Sequence, residues 1–301
     1  MELETLRWFV SVADGRTVTE TAETFHTTQP AVTRGLRRLA AGFDAPLTER
    51  DGRRLRLTFA GEIAARAARC ALGEIDAAVR AVAEANDPAR GTVRLGFLNP
   101  LGTWLVPRLL LEFHDARPDV RFELRQDGAA RILQALLDGA LDLLLSSQPT
   151  DPQTSWTPLF NEGLRLAVSA GHRLAQRRRV QIDELAGESW VLQPPGYGLR
   201  RRVEELASGA GFEPRVAFEG HDLATLLALV GAGSGVGLFA AAPAPPASVR
   251  LLELRPVQSR TVGLGTVPRR VTPRSAAGFA DMIRARAGAI DTERWAGDPG
   301  P

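Results

Sequence analysis

The sequence predicts an α/β protein in three parts: a small helical domain closed by a hairpin, one long helix, and a larger region of alternating strands and helices. Three observations carry this. The stretch TTQPAVTRGLRRL opens an arginine-bearing amphipathic helix, residues 59–85 form an unbroken alanine-rich run, and from Thr92 onward apolar strands alternate with helical segments. With 301 residues, 44% of them hydrophobic and 24% charged, the chain is long enough for two or three domains with their own cores. All 37 basic residues are arginine and the formal net charge is only +2, so total charge selects no partner.

Residues 1–58 read as short helices ending in a hairpin. On a wheel over residues 28–41, Val32, Leu36, Leu39 and Phe43 form one apolar stripe, the side that meets a core. Pro30, Arg34, Arg37 and Ala41 lie opposite, with Gln29 and Thr33 on a flank. Pro30 is tolerated because the first turn needs no N–H from it, and Thr27 or Thr28 supplies the N-cap. The exposed face therefore offers an amide, a hydroxyl and two guanidiniums. Gln and Arg make paired hydrogen bonds to purine edges, and hydroxyls suit phosphates.

Taken alone, a solvated arginine face explains this helix as well. The next segment shifts the balance. LTERDGRRLRL places two short strands around Asp51-Gly52, a tight-hairpin signal, and carries Arg50, Arg53, Arg54 and Arg56. Between Arg34 and Arg56 there are seven arginines and three acids, whereas residues 1–33 hold two arginines and five acids. A helix beside a basic wing is the footprint of a winged helix-turn-helix.

The segments MELETLRWFVSVADGRTVTETAETFHTTQPAVTRGLRRL and APLTERDGRRLRLTFAGE resemble, in order and spacing, the N-terminal domain of LysR-type transcriptional regulators. The resemblance implies a DNA reader in which Thr28, Gln29, Pro30, Thr33, Arg34 and Arg37 face the groove. Arg53 and Arg54 would sit on the wing, near the minor groove or backbone. The chain departs from the family pattern at Thr21 (usually Ala), Ala40 (Glu), Thr48 (Phe) and Asp44 (Gly). Asp tolerates a left-handed backbone better than most residues.

Thr58 is a plausible N-cap for the long helix. Its larger apolar residues, Ile63, Leu72, Ile75, Val79 and Val82, are too sparse for a domain core, so it should pair with another helix, such as that of a second copy. NDPARG ends it. The expected division is 1–58 for the winged domain, 59–88 for the linker helix, 89–290 for the α/β region and 291–301 for a loose tail.

In the α/β region TVRLGFL, VRFEL, LDLLLSS, LRLAVS, SWVLQ and RVAFE read as strands separated by helices, which argues for parallel sheets with right-handed crossovers. Residues 223–242 lack charge over about a membrane-span length. GAGSGVG interrupts them, so a helix, a glycine turn and a short strand fit better. Gly231, Gly233, Gly235 and Gly237 are not spaced as a dinucleotide fingerprint and follow a helix. No nucleophile elbow and no metal-ligand spacing occur, so neither catalysis, cofactor nor metal is expected. The single cysteine, Cys70, excludes an intramolecular disulfide framework. With no secretion signal, the expected location is the cytoplasm.

The LysR-type resemblance extends to about residue 290 through PRLLLEFHDARPDVRFEL, HRLAQRRRVQIDELAGESWVL and LVGAGSGVGLF. It implies a two-lobed effector-binding domain similar to type 2 periplasmic binding proteins. Lobe I would span about 92–161 and 266–290, lobe II about 162–265, with crossings near 160–165 and 262–268. Ligands in such sheets sit beyond the carboxyl ends of strands, against helix N-termini. That places Asn99, Pro100, Leu101, Gly102, Thr103, Ser146, Ser147, Pro195, Gly196, Tyr197, Glu219 and His221 at the cleft, for a small carboxylate or similar polar effector. The implied partners are promoter DNA, a second copy through the long helices, a pairing of dimers into a tetramer, and RNA polymerase, with no membrane. The rival reading is a solute-binding or sensor protein of the same two-lobed fold without gene control.

Overall fold

A computed structural model describes residues 2–52, 54–87, 91–240 and 245–290. Arg53 of the wing and the expected tail at 291–301 lie outside these residues. The N-terminal domain packs α1 (Leu3–Ala13), α2 (Val18–Thr24) and α3 (Gln29–Gly42) under a hairpin of β1 (Thr48–Asp51) and β2 (Arg54–Leu57). A reciprocal box of Thr17 and Glu20 starts α2. Phe9, Val12, Val32, Leu36, Leu39 and Leu47 fill the core.

Two details differ from expectation and a third agrees with it. Phe43 is 42% exposed, because α3 ends at Gly42 and Phe43 caps it instead of continuing the stripe. Asp51 pairs with Arg54, so the wing's loop begins at Gly52, one residue later than the Asp51-Gly52 signal suggested. Asp44 does take the left-handed conformation, at φ 51, and His26 takes it in the turn between α2 and α3.

Thr58 caps α4 (Phe59–Asn86). Beyond it come β3 (Thr92–Leu98), α5 (Leu105–Ala116), β4 (Arg121–Asp127), α6 (Ala129–Leu137) and β5 (Leu143–Ser147), then the long β6 (Ser155–Ser169). Next follow β7 (Arg179–Gln181), β8 (Ser189–Leu192), α7 (Gly198–Gly209), β9 (Arg215–Glu219), α8 (Leu223–Gly231), β10 (Gly237–Ala240), the long β11 (Val249–Thr266) and α9 (Arg274–Ala285). No helix among the described residues is long and apolar enough to cross a membrane.

The sheets are not simply parallel. β3 pairs in parallel with β4 and β5, and β8 with β9. The centre is an antiparallel ribbon of β6 and β11, because the chain leaves lobe I on one and returns on the other. Leu159 and Phe160 belong to the lobe I core while Leu164 and Leu166 belong to that of lobe II. On β11 the change falls between Leu254 and Val262. The second crossing is thus earlier than the 262–268 expected, and the last third of β11 belongs to lobe I.

One helix serves two bodies. Ala64, Ala65 and Ala68 of α4 pack into the N-terminal domain. Its second half docks on lobe I through polar ties. Arg80 makes two bonds to the Asp142 carboxylate, at 2.9 and 2.6 Å. The buried Glu84 accepts from the Ser275 backbone and hydroxyl at the start of α9. Arg270 reaches Glu74 at 2.8 Å and also donates to the Leu136 and Leu137 carbonyls that end α6. Gly73 lies against the backbone of Asp138 and Gly139.

Candidate nucleic-acid interface and interlobe cleft

The exposed end of α3 is built by its cap. Thr28 Oγ1 accepts from the Ala31 N–H at 3.3 Å, with Pro30 in the first turn. Gln29, Pro30, Arg34 and Arg37 are exposed. The Thr33 hydroxyl donates to the Gln29 carbonyl at 2.9 Å, so only its lone pairs remain for a partner. A groove of about 590 Å³ between α3 and the wing joins Gln29, Thr33 and Arg37 to Arg50 and Arg54.

Arg34, Arg37, Arg50, Arg54 and Arg56 form no ion pair among the described residues, whereas Arg38 is tied to Glu2 at 2.8 Å. Guanidiniums free of ion pairs along one groove favour a polyanion. Glu20, at the edge of this face, has its pKa lowered chiefly by the Thr17 backbone N–H and hydroxyl, with Arg54 adding to it.

Between the lobes lie two adjoining spaces that share Asn99 and Pro100. A slot of about 40 Å³ is bounded by Asp127, Gly128, Ser147, Gln193, Tyr197 and Arg260. The N-termini of α6 and α7 open onto it, and neither carries a side-chain cap. A chamber of about 230 Å³ lies beyond, lined by Trp104, Leu223, Leu227, Phe239 and Leu251 with Thr103, Gln126, Glu162 and Asp222. The Asn99 amide donates to the His221 carbonyl at 3.2 Å, bridging the lobes. Tyr197 adds a second bridge, its hydroxyl 3.0 Å from His221 Nδ1 and 3.5 Å from Asp127. Glu162, only 1% exposed, accepts from Arg260 Nε at 2.6 Å where β6 and β11 cross.

The structure therefore brings Asn99, Pro100, Thr103, Ser147 and Tyr197 to these spaces, with His221 bridging them. Others named from sequence stay out. Leu101 is fully buried in the lobe I core, and Gly102 packs against Phe97 and Gln126. Ser146 is buried, with its carbonyl held by the Trp156 indole. Pro195 and Gly196 are exposed but line neither space. Glu219 is turned toward Arg200, at 3.3 Å. Position after a strand does not say which side chains point inward. Sequence reasoning missed Trp104, Gln126, Asp127, Glu162, Gln193, Asp222 and Arg260. A buried acid opposite an arginine on two amphipathic strands was the available signal for Glu162, but it requires the register.

Residues 3–62 match the family model described as the bacterial regulatory helix-turn-helix protein, lysR family, and residues 86–288 match the LysR substrate binding domain. The chain belongs to the LysR family of bacterial transcriptional regulators. It is 34% identical over 289 residues to the transcriptional dual regulator GltC of Bacillus subtilis, covering 94% of this chain and 96% of that one. It is 36% identical over 241 residues to the uncharacterized HTH-type regulator YybE of the same organism, covering 79% and 82%. Among solved structures, full-length CbnR complexed with its target DNA superposes with a TM-score of 0.67 at 23% identity, covering 95% of this chain and all of that one.

This LysR-family chain absorbs its departures locally. Thr21, where the family has alanine, is fully buried, and its hydroxyl lies 3.0 Å from that of Ser11, which satisfies it. Cys70 sits half-buried on α4, its thiol donating to the Leu137 carbonyl at 3.3 Å. Burial raises its pKa, the opposite of what a reactive thiolate needs.

Proposed function

We propose that this LysR-family regulator reads a two-fold operator with α3, and that a small molecule between its lobes modulates the reading. The observation that carries the first part is a set of arginines free of ion pairs among the described residues: Arg34 and Arg37, exposed with Gln29 on α3, and Arg50 and Arg54, which line one groove with Gln29 and Arg37. Gln29, Arg34 and Arg37 are the base-contacting candidates, Thr28 and the wing arginines the phosphate contacts, and Thr33 an acceptor only. Pro30 shapes the helix start.

Two copies would join through α4. In the second half of α4, Val79 and Val82 are each 63% exposed and Ile75 is also open to solvent, an apolar patch on one side of the helix whose other side is used by lobe I. A two-fold pair presents two recognition helices to successive major grooves, so the operator is a rough inverted repeat. Pairing of dimers, action on RNA polymerase and a cytoplasmic location belong to the same reading.

For the effector, the slot supports an anionic head group. Two uncapped helix N-termini and Arg260 converge there, and the slot accommodates a carboxylate only if the Tyr197 bridges give way. Binding would then bias lobe closure and so the placement of the two recognition helices.

Fluorescence anisotropy on DNA upstream of the gene, across a salt series, tests the reader. Affinity should fall steeply with salt. Arg34→Ala should weaken the selective component by about 1–3 kcal/mol, or roughly 5- to 150-fold. Equal binding to scrambled DNA, with no effect of Arg34→Ala, would sink the assignment and leave a two-lobed solute binder.

A further inference from the structure

We propose that the chamber beside the slot is a ligand site in its own right, built for a small apolar amine. The inference rests on the cleft being the effector region but goes beyond the anion slot, and apart from the shared Asn99 and Pro100 it concerns other side chains.

The shape is that of a site for one ring or a short branched chain. At about 230 Å³ the chamber is below the roughly 300–1,000 Å³ of drug-sized ligand sites, yet larger than the roughly 150 Å³ cavity that suffices for benzene. Trp104 and Phe239 from opposite lobes, with Leu223, Leu227 and Leu251, supply apolar walls. Both lobes contribute, so an occupant would bear on how they sit together.

The polar lining is lopsided. Asn99 must orient its Nδ2 toward the His221 carbonyl, since only an N–H can donate there. That leaves Asn99 Oδ1 buried with no hydrogen-bond partner among the described residues. The Thr103 hydroxyl is spent on the Pro100 carbonyl at 3.2 Å. Glu162, paired with Arg260, and Asp222, which accepts from the Thr225 N–H and hydroxyl at the start of α8, bring two carboxylates, and no cation lines the chamber itself. Arg260, the nearest guanidinium in the cleft, borders the slot and is held to Glu162.

A buried acceptor without a donor is costly and is normally satisfied by water or a ligand. An ammonium group answers it, lies beside the two carboxylates, and gains from the aromatic walls. A carboxylate in the same place would meet two like charges, with the Gln126 amide and the Trp104 indole as the side-chain donors not already spent.

The test uses the full chain and three phenyl probes of similar size: phenethylamine, 3-phenylpropionate and phenethyl alcohol, each titrated by calorimetry. The amine is expected to bind at least tenfold more tightly than either of the others. Glu162→Gln should weaken it about tenfold. Leu227→Trp, which fills the chamber from α8 without touching the Glu162–Arg260 pair, should abolish it while the circular dichroism spectrum stays unchanged. If 3-phenylpropionate or the alcohol binds as well as the amine, or if Leu227→Trp leaves amine binding intact, the assignment is overturned. DNA anisotropy on the same samples separates the two claims. Retained operator binding without amine binding removes only this one, whereas amine binding without any operator binding removes the regulator reading instead.

Discussion

Replacing Gly73 by alanine sets two physical effects of opposite sign against each other. Within a helix, Gly→Ala ordinarily stabilises by about 0.5–1 kcal/mol through backbone entropy. Here the added Cβ would lie 2.5 Å from the Asp138 carbonyl oxygen and 2.6 Å from the Gly139 Cα. Both obstacles are backbone, and Gly139 holds a left-handed φ of 79°, so no side chain can swing aside. Relief requires α4 and the end of α6 to part, against the ties from Arg270 to Glu74 and from Arg80 to Asp142. Overpacking of this kind costs about 1–3 kcal/mol. The clash wins, for a net loss of about 1–2 kcal/mol and a Tm lower by about 2–3 °C at this chain length. Differential scanning calorimetry should include Gly209→Ala, at the end of α7 with nothing within 4 Å of its Cβ, as the control that stays level or rises. A Gly73→Ala protein melting at or above wild type would refute the reasoning, because α4 would then not be packed on lobe I in solution.

Three further outcomes follow from the geometry. Val79→Glu with Val82→Glu places charges on the open stripe of α4 and should convert the assembled protein to monomer in size-exclusion light scattering, with secondary structure retained. Arg80→Ala strands the Asp142 carboxylate, whose side chain is 3% exposed, and should cost about 3–5 kcal/mol in urea unfolding, most of it recovered by Arg80→Met with Asp142→Leu. For Glu20 the folded pKa lies below its ordinary 4.5, so its contribution to stability is present above that value and lost as pH falls through the lower, folded one. Glu20→Gln keeps the capping geometry and should reduce the slope of unfolding midpoint against pH below about 4.5; identical slopes for the two proteins would remove this role.

How much of this was legible in sequence depends on the range of the interaction. Caps and turns are local, so Thr28, Thr58 and the wing could be read from neighbouring residues. The alternation of strands after Thr92 was equally plain. β11 was not, because LLELRPVQSRTVGLGT interrupts its apolar pattern with Pro256 and charged residues exactly where the chain passes from one lobe to the other and has no core to face. The cleft was half legible. A strand end locates Asn99 and Ser147, but the inward direction of Trp104 or Glu162 is set by packing, and the partner of Glu162 lies 98 residues away. Nor could the alanines of α4 announce that one half of the helix would enter the N-terminal core and the other dock on lobe I.

That shared helix has a mechanical consequence. Its 28 residues make a rod of about 42 Å, anchored at one end in the body that holds ligand and at the other in the body that holds DNA. For such a lever, a tilt of about 5° at the lobe I end carries the far end through about 4 Å, slightly more than the 3.4 Å rise between neighbouring base pairs. Ligand binding therefore need not remodel the reading head at all. In the two-fold pair proposed above, a few degrees at the fulcrum is enough to shift one reading head out of step with the other.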